Sequence, residues 1–448
     1  MSISLIILAA GKGTRMNSDL PKVLHPIGGA PMLHHAMQSG AALSPDNIVI
    51  VAGHGADQVR KSALEYDETA QIVLQQDQLG TGHAVYQARD TLKDVDGKII
   101  VLYGDTPFIR QETLEKMVAA ESDLVVLGFE AADPARYGRL IHDGDRLDRI
   151  VEFKDASDEE RAVNLCNSGV MSGDARLMLD LVKALGNDNA AGEYYLTDLP
   201  ALAKARGFTT SIVICDEAET IGIDSRVALA KAETMFQTSA RTELLENGVT
   251  LQAPDSVFLS LDTHIGRDTL IEPNVIFGPG VTVESGATIR AFSHLEGCHV
   301  ARGSVVGPYA RLRPGAELAE NTRIGNFVEI KNAQINEGAK VNHLSYIGDA
   351  HVGEASNIGA GTITCNYDGV MKHHTDIGAG VFVGSNTMLV APVSVGDGAM
   401  TASGSVITSD VEPNALAIAR APQVEKSGMA KKLMEMLRAK KARRSRGN

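Results

Sequence analysis

The chain has 448 residues, a formal net charge of −14, 44% hydrophobic residues, 4% aromatics and no Trp. At roughly 150 residues per domain this length holds two or three domains, with cores built from aliphatic side chains. The negative charge argues against nucleic acid or an anionic membrane as the main partner, because both need a basic face.

The opening run MSISLIILAA lacks a basic leader and its apolar run is too short for a signal peptide or a membrane span, so a cytoplasmic location is expected. Up to about Val227, short runs rich in Val, Ile and Leu alternate with helical stretches. The strand candidates are SLIILAA, NIVIVAG, QIVLQQ, GKIIVLYGD, DLVVLGFE and TSIVICD. None alternates polar with apolar, as expected of strands buried on both faces. Between them lie helical candidates Pro31–Gly40, Ala56–Tyr66, Gly82–Leu92 and Gln111–Ala120. Strand and helix in series predict a mostly parallel sheet covered on both sides. Ser225–Glu246 has no Pro or Gly and reads as one long connecting helix, ended by Asn247-Gly248.

Past that helix the pattern changes. Apolar residues recur every six positions at Ile265, Ile271, Phe277, Val283, Ile289 and Leu295. The beat resumes one residue early at Val300 and continues through Val306, Leu312, Leu318, Ile324 and Ile330, then in shorter runs to Val395. A period of six fits neither a helix nor simple strand pairing, but fits a β-helix in which each hexad is one flat face and a corner. Between Ile358 and Ile377 the beat is lost, and AGTITCNYDGVMKHHTD is expected to leave the prism as a loop, a place where function collects. The tail Lys426–Arg446 carries nine Lys or Arg and reads either as a solvated helix or as a site for an acidic partner. The four cysteines (Cys166, Cys215, Cys298, Cys365) form no CxxC pair, which fits a reducing compartment.

Chemistry concentrates at a few places. LIILAAGKGTRM sets a small, basic turn after the first strand; it matches neither a Walker A nor a GxGxxG pattern. Free backbone N–H groups there, with Arg15 and Lys22, form a cradle for a triphosphate, although a plain strand-to-helix turn also explains the glycines. Asp105 in YGDTP ends an apolar run, where open α/β sheets bind ligands. It either holds Mg²⁺ against phosphate oxygens or caps the next helix. Asp224 either completes such a metal site or is the N-cap of the long helix. In the second half, His343 follows inward-pointing Val341 by two positions and so faces outward. It is either a bystander or part of a cluster with Arg311, Arg313, Glu329, Lys331, Tyr346, Asn357, Asn366 and Tyr367. Cys365 has no evident base and reads as a small loop residue.

The motifs LAAGKGTRM, LPKVLH, QLGTGHA, YGDTP, VEFKDA, CNSGVM and GEYYLTD, in that order, resemble those of the bacterial bifunctional UDP-N-acetylglucosamine pyrophosphorylase and glucosamine-1-phosphate N-acetyltransferase family. The likeness runs from about residue 3 to residue 425. It implies an α/β chain with four parts: a Rossmann-like uridylyltransferase domain over 1–226, a linker helix over 227–247, a left-handed parallel β-helix of hexapeptide repeats over 248–425 that acetylates, and the basic tail over 426–448.

By the same resemblance, Leu8, Ala9, Ala10, Gly11, Gln75, Gly80 and Thr81 hold the uridine side of UTP, and Lys22 and Arg15 face the phosphates. Tyr103, Gly104, Gly138, Glu152 and Asn167 contact the sugar nucleotide. Asp105 and Asp224 hold Mg²⁺; the family usually has Asn at the latter position, and a carboxylate remains a good ligand for a hard cation. Arg313, Lys331, Tyr346 and Asn357 bind glucosamine-1-phosphate. His343 is the general base, a task that suits an imidazole, with Glu329 orienting it. Donors near Ala360 and Ser385 face the oxyanion. Ala360, Asn366, Tyr367, Ser385, Ser403 and Arg420 contact acetyl-CoA, Ser403 standing where Ala is common. The β-helix implies a homotrimer with the acetyl-transfer site between neighbouring prisms.

Two other readings compete. One keeps the nucleotidyltransferase and makes the β-helix a non-catalytic assembly or regulatory module. The other makes the chain a sensor of sugar nucleotides. The His343–Asn366–Tyr367 cluster separates the first from the bifunctional reading, since a scaffold has no need of it. Pyrophosphate release separates the second.

Overall fold

The computed structural model describes residues 2–144 and 146–444. They form two compact units: residues through Glu246 with Phe258–Thr263 and Phe277–Pro279, and the remainder from Asn247 onward.

The first unit is built on a nine-stranded sheet. Its order is Gln71–Leu74, Asn47–Ala52, Ile3–Ala9, Lys98–Tyr103, Leu165–Asp174, Leu124–Glu130, Thr210–Cys215, Arg146–Val151 and Arg139–Asp143. All six expected strands are present. The first four in this order run parallel, as do Leu124–Glu130 and Thr210–Cys215. Leu165–Asp174 lies antiparallel between the two groups, and Arg139–Val151 is a hairpin at the edge. These three strands escape the apolar-run criterion because LCNSGVMSGD is small and polar and the hairpin is charged. Strand Ile3–Ala9 shows why unbroken apolar runs mark this sheet: Leu5, Ile7 and Ala9 pack into one core, Ile6 and Leu8 into the other. Of the helical candidates, Gly82–Leu92 is two short helices, Thr81–Tyr86 and Arg89–Leu92.

The long helix Arg226–Glu246 belongs to this unit. Glu233 accepts from the Gly28 N–H (2.8 Å), Arg226 donates to the Met16 carbonyl (3.1 Å), and Ala232 packs with Ile27, Met32 and Ile223.

In the second unit successive coils pair in parallel along the wall, one coil on the next. Arg311↔Glu329↔Tyr346↔Ile363↔Met388 is one such register; Arg323↔Lys340↔Asn357↔Phe382 is another. The six-beat residues fill the prism: Ile289, Leu295, Val306, Leu312, Ile330, Val341 and Ile347 are each fully buried. The lost beat is shorter than expected. Ile363–Cys365 stays in the wall, with Thr364 buried and its hydroxyl bonded to Gly348, because threonine substitutes for the inward aliphatic. Only the stretch from Asn366 to His374 leaves, closed by a Tyr367↔Lys372 bridge, and the wall resumes at Thr375. Helix Met429–Arg444 carries the basic tail with every side chain exposed; Arg446 lies outside the described residues.

Candidate active sites

The first site is a cleft of about 400 Å³ at the carboxyl ends of the parallel strands. Ten of the expected residues line it: Leu8, Ala9, Ala10, Gly11, Lys22, Gln75, Gly80, Thr81, Tyr103 and Asp105. The turn after the first strand is open because Gly11 has no neighbour where a Cβ would stand. Gly13 adopts φ +59°, and a Cβ there would meet Lys22 Cβ at 2.6 Å, so only glycine lets Lys22 fold back over the turn. Tyr103 bonds Thr81, and burial, with the Asp105 charge nearby, pushes its phenol well above the ordinary range, so it stays a neutral donor.

Gly138, Glu152 and Asn167 do not line the cleft but sit together beside Tyr103. Asn167 N–H donates to the Gly138 carbonyl (2.9 Å), and Gly169 touches the Tyr103 ring. Glu152 accepts from Thr197 (3.0 Å), and burial raises its carboxyl above the usual value despite that bond. Gly104 N–H donates to the Leu8 carbonyl (3.0 Å), which pins the Asp105 strand end to the first strand.

Charged groups are paired at the cleft and outside its lining, where Arg15, Asp224 and Gly104 also stand. Lys22 is ion-paired with Asp105, and Arg15 with Asp224 at 2.6 Å. The Ile223 N–H donates to the Asp105 carbonyl (2.9 Å), so the backbone before Asp224 meets the backbone of Asp105. Among the described residues no three His, Cys, Asp or Glu gather as a metal site.

The second site lies on one corner of the β-helix. Successive coils are linked there by backbone hydrogen bonds: Leu344 N–H to Asn326 O (3.1 Å), Gly361 N–H to His343 O (3.2 Å), Asn386 N–H to Ala360 O (2.7 Å) and Gly404 N–H to Ser385 O (2.8 Å). His343, Ala360, Ser385 and Ser403 therefore follow one another up a single edge. Arg420 closes the column by donating to the Ser403 carbonyl at 2.5 Å. The adjoining face carries Arg313, Glu329, Lys331 and Tyr346. Arg313 pairs with Glu329 at 2.8 Å, and Asn366 reaches the Tyr346 hydroxyl at 3.4 Å. Asn357 lies in the wall, in register with Lys340 below and Phe382 above. Tyr367 is exposed on the ejected loop, its hydroxyl donating to Gly369 O (2.6 Å).

Comparison with known proteins now decides the family. The MobA-like NTP transferase domain matches residues 5–163, and the bacterial transferase hexapeptide (six repeats) matches residues 262–297 and 374–409. Bifunctional protein GlmU of Roseobacter denitrificans is 67% identical over 450 residues, with 100% of both chains covered. Its counterparts in Ruegeria sp. and Ruegeria pomeroyi are each 68% identical, over 449 and 444 residues, covering 100% and 99% of both chains. The chain belongs to the bifunctional GlmU family.

Within this chain the structure corrects one assignment. Glu329 does not orient His343: its carboxylate is taken by Arg313, and strand register sets Asn326 beside the histidine. Asn326 Oδ1 lies 2.9 Å from His343 Nδ1. Several residues escaped the reading of the sequence. Gln78 and Glu193 line the first cleft, Gln78 donating to the Ala10 carbonyl at 2.6 Å. Lys372 of the ejected loop stands against Lys331, whose close approach and charge hold its ammonium below the usual lysine range. The signals were present, since Gln78 lies between Gln75 and Gly80 and Glu193 within GEYYLTD, but which of several polar neighbours faces the cleft is decided by backbone direction. Burial raises the Cys365 thiol, which fits a packing role and not a nucleophile.

Proposed function

We infer that the chain is a bifunctional transferase: its second unit moves an acetyl group from acetyl-CoA to glucosamine-1-phosphate, and its first joins N-acetylglucosamine-1-phosphate to UTP, yielding UDP-N-acetylglucosamine and pyrophosphate. The observation that carries this over a non-catalytic β-helix is the corner column, which brings His343, Ala360, Ser385 and Ser403 from four separate coils onto one edge. A scaffold has no need to line up a base with small and hydroxyl residues beside a group of cations.

For acetyl transfer, Asn326 Oδ1 accepts the Nδ1 proton of His343 and leaves Nε2 as the basic lone pair. Nε2 takes a proton from the sugar amine as the nitrogen attacks the thioester carbon. The C–S bond then breaks, and CoA leaves as the thiol after protonation. Arg313, Lys331 and Lys372 suit the sugar phosphate dianion. Asn366, Tyr367 and Arg420 are assigned to acetyl-CoA.

For uridylyl transfer, an oxygen of the sugar phosphate attacks the α-phosphorus in line and pyrophosphate departs. Lys22 and Arg15 turn from their carboxylate partners to the phosphates, so positioning and electrostatics carry the rate. Asp105 and Asp224 are the residues that would hold Mg²⁺: both offer hard oxygens, and the Ile223–Asp105 backbone bond brings their chain segments together. A bound Mg²⁺ there supplies charge neutralisation on phosphate oxygens.

The assembly proposed is a homotrimer. Phe292, Tyr309 and Phe327 stack up another stretch of the same corner (ring centroids 5.0 and 5.2 Å apart) while remaining about half exposed, apolar surface that a second copy would cover. No helix among the described residues is long and apolar enough to cross a membrane, and we place the enzyme in the cytoplasm.

The direct test is His343→Ala. Acetylation of glucosamine-1-phosphate should fall about 10²–10⁴-fold with uridylyl transfer unchanged. An unaltered acetylation rate removes the general base.

A further inference from the structure

Asp349 belongs to no substrate set above, yet it is the carboxylate around which the second site is built. It sits at a corner of the prism with φ +48°, a left-handed backbone that Asp tolerates better than most residues, and is 9% exposed. Both of its oxygens are used. Oδ1 accepts from Asn332 Nδ2 of the preceding coil at 2.7 Å, and Oδ2 accepts from Asn366 Nδ2 of the ejected loop. Lys331 Nζ stands 4.0 Å from Oδ2.

We propose that Asp349 is a positioning residue for acetyl transfer, locking the Asn366 amide of the ejected loop onto the wall that carries Lys331 and Tyr346, so that the acetyl-CoA and sugar-phosphate contacts are held in one register. The inference rests on the acetyltransferase reading and deepens it.

Three observations support it. First, Asn366 is 7% exposed, and its amide nitrogen is directed at Asp349 and, at 3.4 Å, at the Tyr346 hydroxyl. That orientation turns its Oδ1 away from the carboxylate, as an acceptor for a ligand. Second, the loop is hung from this residue: Asn366 N–H donates to Thr364 O (2.9 Å), and Asn366 O accepts from the His373 N–H (2.8 Å). Where Asn366 goes, Tyr367 and Lys372 follow. Third, Asp349 offsets charge. Lys331 and Lys372 repel one another, and a carboxylate beside them keeps both ammonium groups together for a dianion to bridge. Burial acts to raise its carboxyl, but the bonds from Asn332 and Asn366 and the charges of Lys331 and Lys372 outweigh it, so the group is ionised at neutral pH. A corner needs only small or polar residues; a buried charge is costly unless it is paired, and here each partner but Asn332 is a substrate contact.

The test is Asp349→Asn in the full chain, with KM for each acetyl-transfer substrate, kcat and uridylyl transfer measured on the same preparation. The expected result is a rise of about tenfold or more in KM for both acetyl-CoA and glucosamine-1-phosphate, the effect of one lost charge-assisted hydrogen bond. Uridylyl transfer should be unchanged. Wild-type KM values for both substrates would overturn the proposal. Should Asp349→Asn fail to fold, the reciprocal exchange decides. Asn366→Asp alone sets two carboxylates together, and adding Asp349→Asn restores one donor facing one acceptor. Recovery of about tenfold over the single Asn366→Asp variant supports the proposal, and no recovery overturns it. A wild-type protein that does not acetylate at all would instead sink the reading on which the proposal stands.

Discussion

His343, the general base proposed for acetyl transfer, shows how little of such a residue is the residue itself. Its ring is exposed on a corner, and its direction comes from Asn326 one coil below, a residue with no chemistry of its own. Asn326→Ala should lower kcat for acetyl transfer about tenfold, equal to one net hydrogen bond, and leave KM for acetyl-CoA unmoved. Steady-state kinetics of the variant checks this, and a change in KM alone would contradict it. Glu152 makes the opposite case, a carboxyl held where ionisation is disfavoured. Its pKa is raised by burial, so its folded state is favoured below the ordinary carboxylate value of about 4.3, and that advantage is lost as pH rises toward the raised value. Glu152→Gln cannot ionise and keeps an acceptor for Thr197. Its melting temperature relative to wild type should therefore climb, by about 2 °C, between pH 4 and neutrality, while KM for the sugar phosphate worsens. Thermal scans across that range would contradict the assignment if the difference were flat.

At the scale of elements, the two halves differ in how their sequence encodes them. The β-helix was legible because each inward residue makes the same contact in every coil, so the period survives in the sequence. The parallel strands were legible because both faces are buried. Leu165–Asp174 was not, since it is held by its neighbours on either side and its own residues are small and polar. Of the first site, the backbone cradle could be read from AAGKG, but the approach of the segment before Asp224 to Asp105 depends on a backbone hydrogen bond between residues distant in sequence. Of the second, residue types could be read, while the corner column could not, because the ejected loop breaks the count between Ala360 and Ser385. The prism also makes a stability prediction. Ile347→Ala in a fully buried position should cost about 2–5 kcal/mol in unfolding of the second unit. Denaturant titration should show that loss, with neighbouring coils sharing it and the first unit unaffected. A change below about 0.5 kcal/mol would mean that the position is not packed as described.

Over the whole molecule, one chain carries two candidate sites that share no residue: both set fixed charges for a phosphate in the proposed reading, and the second adds a histidine to move a proton. The stacked aromatics at Phe292, Tyr309 and Phe327 bear on assembly. Replacing Tyr309 and Phe327 with Lys should shift light-scattering mass from trimer to monomer, and a mass unaffected by the change would move the interface elsewhere. The central claim, that both reactions belong to this chain, is tested most directly by incubating it with glucosamine-1-phosphate, acetyl-CoA, UTP and Mg²⁺ and identifying the products by mass. The account predicts UDP-N-acetylglucosamine, pyrophosphate and free CoA from the intact protein, and from His343→Ala only unreacted glucosamine-1-phosphate unless N-acetylglucosamine-1-phosphate is supplied. Uridylyl transfer from supplied N-acetylglucosamine-1-phosphate, with no acetylation by the intact protein, would contradict it.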